Sequence, residues 1–214
     1  MNRESCCGEH VKKDAEIVKI DTAHPGQAFA RCRDVIFEGG VIVYPTDTFY
    51  GLGADPGNPA AIRKLFAIKG RQHDQPILLL IKDAGQVRNW AAEIPAKAEE
   101  LMRQHWPGPL TLVFKAKEYV LPELTAGAGT IGLRVPGNAL TVQLLAFLGT
   151  ALTGTSANTS GGPSPRTAEE AMEAVGSVVD LIVDGGMTTG GKPSTVADVS
   201  AGQIVVIREG AIKL

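Results

Sequence analysis

Val41-Ile42-Val43-Tyr44-Pro45-Thr46-Asp47-Thr48-Phe49-Tyr50-Gly51-Leu52-Gly53-Ala54 passes from four successive apolar residues into a polar, glycine-rich run. Four successive apolar residues read as a strand. Proline at 45 ends the strand, and residues 45–54 then read as a loop at its carboxyl end, where ligand-binding loops of α/β sheets sit. Just upstream, residues 16–20 read as a strand. Residues 26–38 read as a helix with Phe29, Cys32, Ile36 and Phe37 on its inner side, closed by Gly39-Gly40. Strand, helix and strand in that order predict an α/β fold.

The alternation continues downstream. Asn58-Pro59 supplies an N-cap with proline at the first helical position, and Ile62, Leu65 and Phe66 form an i, i+3, i+4 stripe that stops at Gly70. Lys69 and Arg71 therefore bracket a helix end. Residues 76–82, 110–115, 130–135, 150–153, 179–183, 195–199 and 203–207 read as strands. Residues 95–105 read as a helix stopped by Trp106-Pro107-Gly108-Pro109, residues 138–148 as one capped by Asn138, and residues 167–175 as one opened by a Thr167/Glu170 capping box. No repeat or low-complexity block divides the chain. Residues 15–214 are expected to form a single α/β domain with a twisted mixed sheet flanked by helices, behind a flexible tail at residues 1–14.

The chain has 214 residues, 44% of them apolar, which is enough to bury a substantial core. A net charge of −2 argues against coating nucleic acid by bulk charge, so any basic site must be concentrated. No apolar run approaches the roughly 18 residues that span a bilayer, and the polar start of the chain lacks a signal peptide's pattern. A soluble, cytoplasmic protein with no membrane partner is expected. Cys6, Cys7 and Cys32 make no even framework, and Cys6-Cys7 near His10 lacks the further pair that a tetrahedral metal site needs, so the thiols are expected to stay reduced.

One motif misleads. Gly186-Met187-Thr188-Thr189-Gly190-Gly191-Lys192 matches the first seven places of a P-loop, but the eighth is Pro193 instead of the hydroxyl residue that holds magnesium. The following Thr195-Val196-Ala197-Asp198-Val199 alternates like a strand and opens no helix. Asn158-Thr159-Ser160 spells a glycosylation sequon, idle in a cytoplasmic protein.

Two cations in Lys69-Gly70-Arg71, set against the neutral hydrogen-bonders of Ser156-Ala157-Asn158, suggest an anion pocket for a phosphorylated small molecule. Plainer roles compete. Lys69 can be a solvated cation favoured by the helix dipole. Thr46, Asp47 and Thr48 can form an Asx or ST turn, with Asp47 capping backbone amides in preference to holding magnesium. Trp90, Trp106 and Tyr44 read as packing residues, and His24, His73 and His105 lack an acid or nucleophile at motif spacing. Arg134, between Leu133 and Val135, has the stronger case, because a charge inside an apolar strand needs a partner.

Pro45 to Ala54 with Lys69-Gly70-Arg71, then Pro107-Gly108-Pro109-Leu110-Thr111-Leu112, Gly132-Leu133-Arg134-Val135-Pro136, Ser156-Ala157-Asn158-Thr159-Ser160-Gly161, Pro193-Ser194-Thr195-Val196 and Ile207-Arg208-Glu209-Gly210-Ala211-Ile212 together resemble the successive blocks of the YrdC-like threonylcarbamoyl-AMP synthases. The resemblance covers the chain from about Ile17 onward, and the paired K-x-R and S-x-N signature carries most of it. It implies a YrdC-like fold with a concave basic pocket and a nucleotidyl transfer. L-threonine, bicarbonate or CO2, and ATP give L-threonylcarbamoyladenylate and pyrophosphate, with Mg2+ accompanying the ATP. A downstream threonylcarbamoyl transferase complex then modifies the adenosine beside the tRNA anticodon, so tRNA is met indirectly or weakly.

By matching position, Thr48, Arg134 and Ser194, with the Gly154 backbone, resemble the threonine-binding residues. Lys69, Arg71, Gln75, Thr130, Ser156, Asn158, Ser164 and Arg208 align with the ATP-binding positions, and Lys69 and Arg71 are expected to neutralise charge growing on the phosphates. No residue is assigned to the metal. Longer members place a histidine where this chain has Leu80 and append a second domain, whereas this sequence stops at Leu214, so the short, single-domain type is expected. A rival reading is a non-catalytic module of the same fold that grips tRNA or ribosomal RNA through the same cations. Its cations should spread over a face, whereas here they are sparse and interleaved with small polar residues. A paralogue using another acyl-adenylate is a third reading.

Overall fold

The expected apolar strand is Ile42–Tyr44 (β2), and all three of its side chains are inaccessible. In this computed structural model, which describes residues 14–70 and 75–214, the chain leaves β2 through a tight turn and returns as Gly51–Gly53 (β3), antiparallel to it. Residues 45–54 were expected to be loop throughout, and here the expectation fails. A Cβ on Gly53 would lie 2.6 Å from Tyr44 Cε1, so the glycine admits a neighbouring ring instead of marking a turn. Thr46 makes the turn itself: its Oγ1 accepts the N–H groups of Thr48 (3.1 Å) and Phe49 (3.3 Å), the predicted ST turn.

The remaining elements follow the predicted alternation. Glu16–Lys19 (β1) and Gly26–Phe37 (α1) precede β2. Pro59–Lys69 (α2), Leu78–Leu80 (β4), Ala96–His105 (α3), Leu110–Lys115 (β5), Pro122–Thr125 (α4) and Thr130–Arg134 (β6) come next. Ala139–Leu148 (α5), Leu152–Ser156 (β7), Ala168–Val175 (α6), Leu181–Asp184 (β8), Thr195–Asp198 (β9) and Val205–Arg208 (β10) complete the chain. A 3-10 turn, Ala84–Asn89, and α4 were not foreseen. The ten strands form one mixed sheet in the order β1-β8-β2-β3-β7-β4-β6-β5-β9-β10. The β1/β8, β2/β8, β4/β6 and β5/β9 pairs are parallel.

Helix ends are set as the sequence implies. Asn58 Oδ1 accepts from the N–H groups of Ala60 (3.0 Å) and Ala61 (3.2 Å), and Gly70 closes α2 in the left-handed region at φ +61°. Thr167 accepts from Glu170 N–H, and the Glu170 carboxylate reaches back to Arg166 N–H. The P-loop look-alike opens no helix; the next element is β9, parallel to β5. Phe37 departs from expectation: it lies about 100° round α1 from Ile36, and 57% of it is exposed.

Alternation along each strand divides the core between two faces. Val43, Leu79, Ile131, Leu133, Leu110, Leu112, Ile182 and Ala197 point one way and pack with α2, α3 and α6. Ile42, Tyr44, Leu80, Leu152, Leu181 and Val183 point the other way and meet α1 and α5 through Phe29, Cys32, Ile36, Leu144, Leu145 and Leu148. This second face is covered over only part of the sheet. Beyond Leu80 it opens into a cavity.

Candidate active site

A cavity of about 390 Å3 occupies the uncovered part of that face, within the range usual for small-molecule sites. Much of its lining follows the strand period of two, with Leu78 and Leu80 on β4, Thr111 and Val113 on β5, Thr130, Gly132 and Arg134 on β6, and Ser194 and Val196 at β9, while β7 contributes the consecutive Gly154, Thr155 and Ser156. Gly132 and Gly154 keep the floor low. A Cβ on Gly154 would stand 2.6 Å from Leu78 Cδ1 and 3.0 Å from Leu80 Cγ. Thr46 and Thr48 of the turn, with Ser164 and Arg208, complete the wall.

Arg134 ends β6, and only 4% of it is exposed. Its Nε donates to the Gly108 carbonyl at 3.0 Å, and its Nη2 donates to Asp47 Oδ1 in a short ion pair. The partner expected for a buried strand cation is therefore an internal carboxylate. Asp47 correspondingly does not play the amide-capping part read from its sequence; Thr46 Oγ1 takes those N–H groups. Gly108 explains one use of the Pro107-Gly108-Pro109 block. A Cβ there would meet the His105 carbonyl at 2.5 Å, so only glycine lets the chain turn and present its own carbonyl to Arg134.

Arg208, on the edge strand β10, folds its guanidinium onto Ser194: Nε and Nη2 donate to the Ser194 carbonyl at 3.2 and 2.8 Å, and Nη2 to its Oγ at 3.2 Å. Ser194 Oγ in turn lies 3.0 Å from Thr111 Oγ1. Desolvation and then the Arg134 charge lower the Arg208 pKa. The Arg134 charge thus bears on Arg208, and an anionic ligand in the cavity would offset that repulsion.

Lys69 overturns its plainer reading. It is 2% exposed, and its Nζ donates to the carbonyls of Ser156 (2.8 Å) and Asn158 (2.7 Å) and to Asn158 Oδ1 (2.6 Å). Ser156 Oγ donates to the same Oδ1 at 2.7 Å, and Asn158 Nδ2 donates to the Gly162 carbonyl. The K-x-R lysine and the S-x-N pair are therefore one network at the carboxyl end of β7. Ser156 faces the cavity, and Lys69 and Asn158 stand behind it.

Of the residues singled out in the sequence, Thr48, Thr130, Arg134, Gly154, Ser156, Ser164, Ser194 and Arg208 line this single cavity. Gln75 is exposed and lies just outside it, next to the lining residue Pro76, and Arg71 falls outside the described residues, as do Cys6 and Cys7. Thr111 was missed as a cavity residue. Its signal was a hydroxyl alternating with Leu110, Leu112 and Phe114 in an otherwise apolar strand. Among the described residues no helix is long and apolar enough to cross a membrane, and no three His, Cys, Asp or Glu side chains are grouped to hold a metal ion.

The Sua5/YciO/YrdC family model, described as telomere recombination, matches residues 34–210. The threonylcarbamoyl-AMP synthase of Pyrococcus abyssi is 37% identical over 179 residues, which are 84% of this chain and 53% of that protein. This chain thus spans about half the length of that relative. The synthase of Thiobacillus denitrificans is 40% identical over 167 residues, 78% of this chain and 88% of its own length. Among solved structures, P. abyssi Sua5 complexed with L-threonine superposes with a TM-score of 0.87 at 34% identity, covering 91% of this chain and 57% of that one. A family model spanning most of the sequence, matched by likeness in both sequence and fold, places the chain in the Sua5/YciO/YrdC family.

Proposed function

We propose that this chain makes L-threonylcarbamoyladenylate and pyrophosphate from L-threonine, bicarbonate or CO2, and ATP. The observation that carries the reading is one cavity in which two guanidiniums, Arg134 and Arg208, face a set of hydroxyls and a glycine floor. Relatives named threonylcarbamoyl-AMP synthase, and a family structure that holds L-threonine, support it. Cations gathered inside a concavity suit a compact anionic ligand better than an RNA backbone.

The chemistry asks for no protein nucleophile. The threonine amine loses a proton and forms an N–C bond to CO2, giving a carbamate. A carbamate oxygen then bonds to the α-phosphorus as the bond to the β-phosphate oxygen breaks and pyrophosphate leaves. Catalysis is positioning and charge neutralisation. Arg134 holds the amino-acid carboxylate, with Thr48, Ser194 and the Gly154 backbone around it. Thr130, Ser156, Ser164 and Arg208 receive the nucleotide, and Lys69 with Asn158 fixes the Ser156 corner. Gln75, exposed beside the lining residue Pro76, joins this set. Mg2+ accompanying the ATP would add charge neutralisation at the phosphates; among the described residues no three His, Cys, Asp or Glu side chains are grouped to hold a resident ion. The product is a reactive mixed anhydride. A downstream transferase complex passes its threonylcarbamoyl group to the adenosine beside the tRNA anticodon.

Pyrophosphate release from purified protein with ATP, magnesium and bicarbonate, with and without L-threonine, tests the reading. Release that depends on threonine and is lost in Arg134→Ala is expected. Release indifferent to threonine, or none, overturns it, and salt-dependent RNA binding then becomes the alternative to measure.

A further inference from the structure

Asp47 is a largely buried carboxylate, its side chain 16% exposed, that the chemistry above does not use. One oxygen pairs with Arg134 Nη2; the other, Oδ2, is buried and has no hydrogen-bond partner. Leaving such an acceptor unmet is costly, so the carboxylate is placed for Arg134 and not for its own satisfaction. Gly137 closes over it: a Cβ there would lie 3.2 Å from Oδ2 and 3.3 Å from the Asp47 Cβ. Asp47 is not on the cavity surface, although Thr46, Thr48 and Arg134 are.

A guanidinium is a rigid plane of five donors. Two anchors, the Gly108 carbonyl at Nε and Asp47 at Nη2, fix that plane and leave the other donors for a ligand. We propose that Asp47 is a positioning residue for amino-acid recognition: it acts through Arg134, holding the guanidinium plane aimed at the substrate carboxylate. This rests on the synthase reading. The role differs from turn-making, which Thr46 performs, and from direct ligation, which a residue behind the wall does not provide.

The test is the full chain as Asp47→Ala and Asp47→Asn. L-threonine affinity is measured by calorimetry and KM values for L-threonine and ATP by pyrophosphate release. Asp47→Ala is expected to weaken L-threonine at least tenfold while the ATP KM stays within twofold. Asp47→Asn, which keeps an acceptor for Nη2, should recover part of that loss. Threonine affinity that is unchanged or tighter in either folded variant overturns the proposal. So does an equal rise in both KM values with a lowered melting temperature, the mark of a purely structural role. Wild-type protein that binds no L-threonine overturns the synthase reading itself, a result distinct from a wild type that binds and an Asp47 variant that binds as well.

Discussion

The Lys69 ammonium donates to Asn158 twice, at 2.7 Å to its backbone carbonyl and at 2.6 Å to its side-chain Oδ1, so that the end of α2 and the end of β7 are tied by one cation. The tie is reciprocal, because Ser160 N–H donates back to the Lys69 carbonyl at 3.0 Å. A charge held in this way belongs to the scaffold of the cavity as much as to its chemistry.

Lys69→Met should therefore lower both stability and turnover. Hydrogen bonds to a charged group contribute about 1.5–3 kcal/mol each, and urea unfolding should show a loss of that order or more. Asn158→Ala should act on the same network, so the double variant should lose less than the sum of the two single losses. Additive losses in a double-mutant cycle would mean that the two residues do not form one unit.

Arg208→Ala should separate the two substrates. The proposed function gives Arg208 to the nucleotide; its guanidinium donates to the Ser194 carbonyl and is not one of the groups that anchor Arg134, which are Gly108 and Asp47. The ATP KM is expected to rise about tenfold or more, the worth of a charge-assisted contact of at least 1.4 kcal/mol, with a smaller change for L-threonine. Steady-state pyrophosphate release with each substrate varied in turn measures both.

Gly53→Ala should destabilise the fold without touching the cavity. The new Cβ would stand 2.6 Å from Tyr44 Cε1 and 3.2 Å from Ile42 Cγ1, and a buried ring between strands has little room to yield. Overpacking of this kind costs about 1–3 kcal/mol. Thermal unfolding should show the fall, and KM values for the folded fraction should not change.

Alkaline pH should weaken the fold. Burial pushes the Cys32 thiol up to about 12 and raises the Tyr44 hydroxyl further, while Tyr50, also raised by burial, reaches about 12. Each is neutral in the folded chain at pH values where the unfolded chain ionises. Their stabilisation is complete below the unfolded values and is lost as pH rises from about 9 toward 12, by up to about 1.4 kcal/mol per pH unit for each group. Melting temperatures across pH 8 to 11 should fall, and the fall should be shallower in Cys32→Ala. A thiol held neutral should also leave Cys32 unmodified by iodoacetamide at neutral pH until the protein unfolds.

Much of the fold was legible because its signals are local. Asn58-Pro59, Asn138 and the Thr167/Glu170 pair place helix starts, and the apolar run at residues 41–44 marks a strand. The misread stretch was residues 51–53, where glycine serves a neighbouring ring and not a turn, a distinction that depends on a contact with Tyr44. Phe37 was misplaced for a similar reason: apolar type alone does not say where a helix stops meeting its sheet.

The sequence by itself determined the alternation of most strands and helices, the family blocks and most residue types of the cavity, because periodicity, caps and motif spacing are properties of neighbouring positions. Only the tertiary structure decided how the blocks meet. It set Lys69 behind Ser156, gave Arg134 the Asp47 carboxylate and the Gly108 carbonyl as anchors, and brought Arg208 from the edge strand to Ser194. Burying a charge requires partners, and those of the buried Lys69 and Arg134 lie 26 to 89 residues away, where no local pattern specifies them.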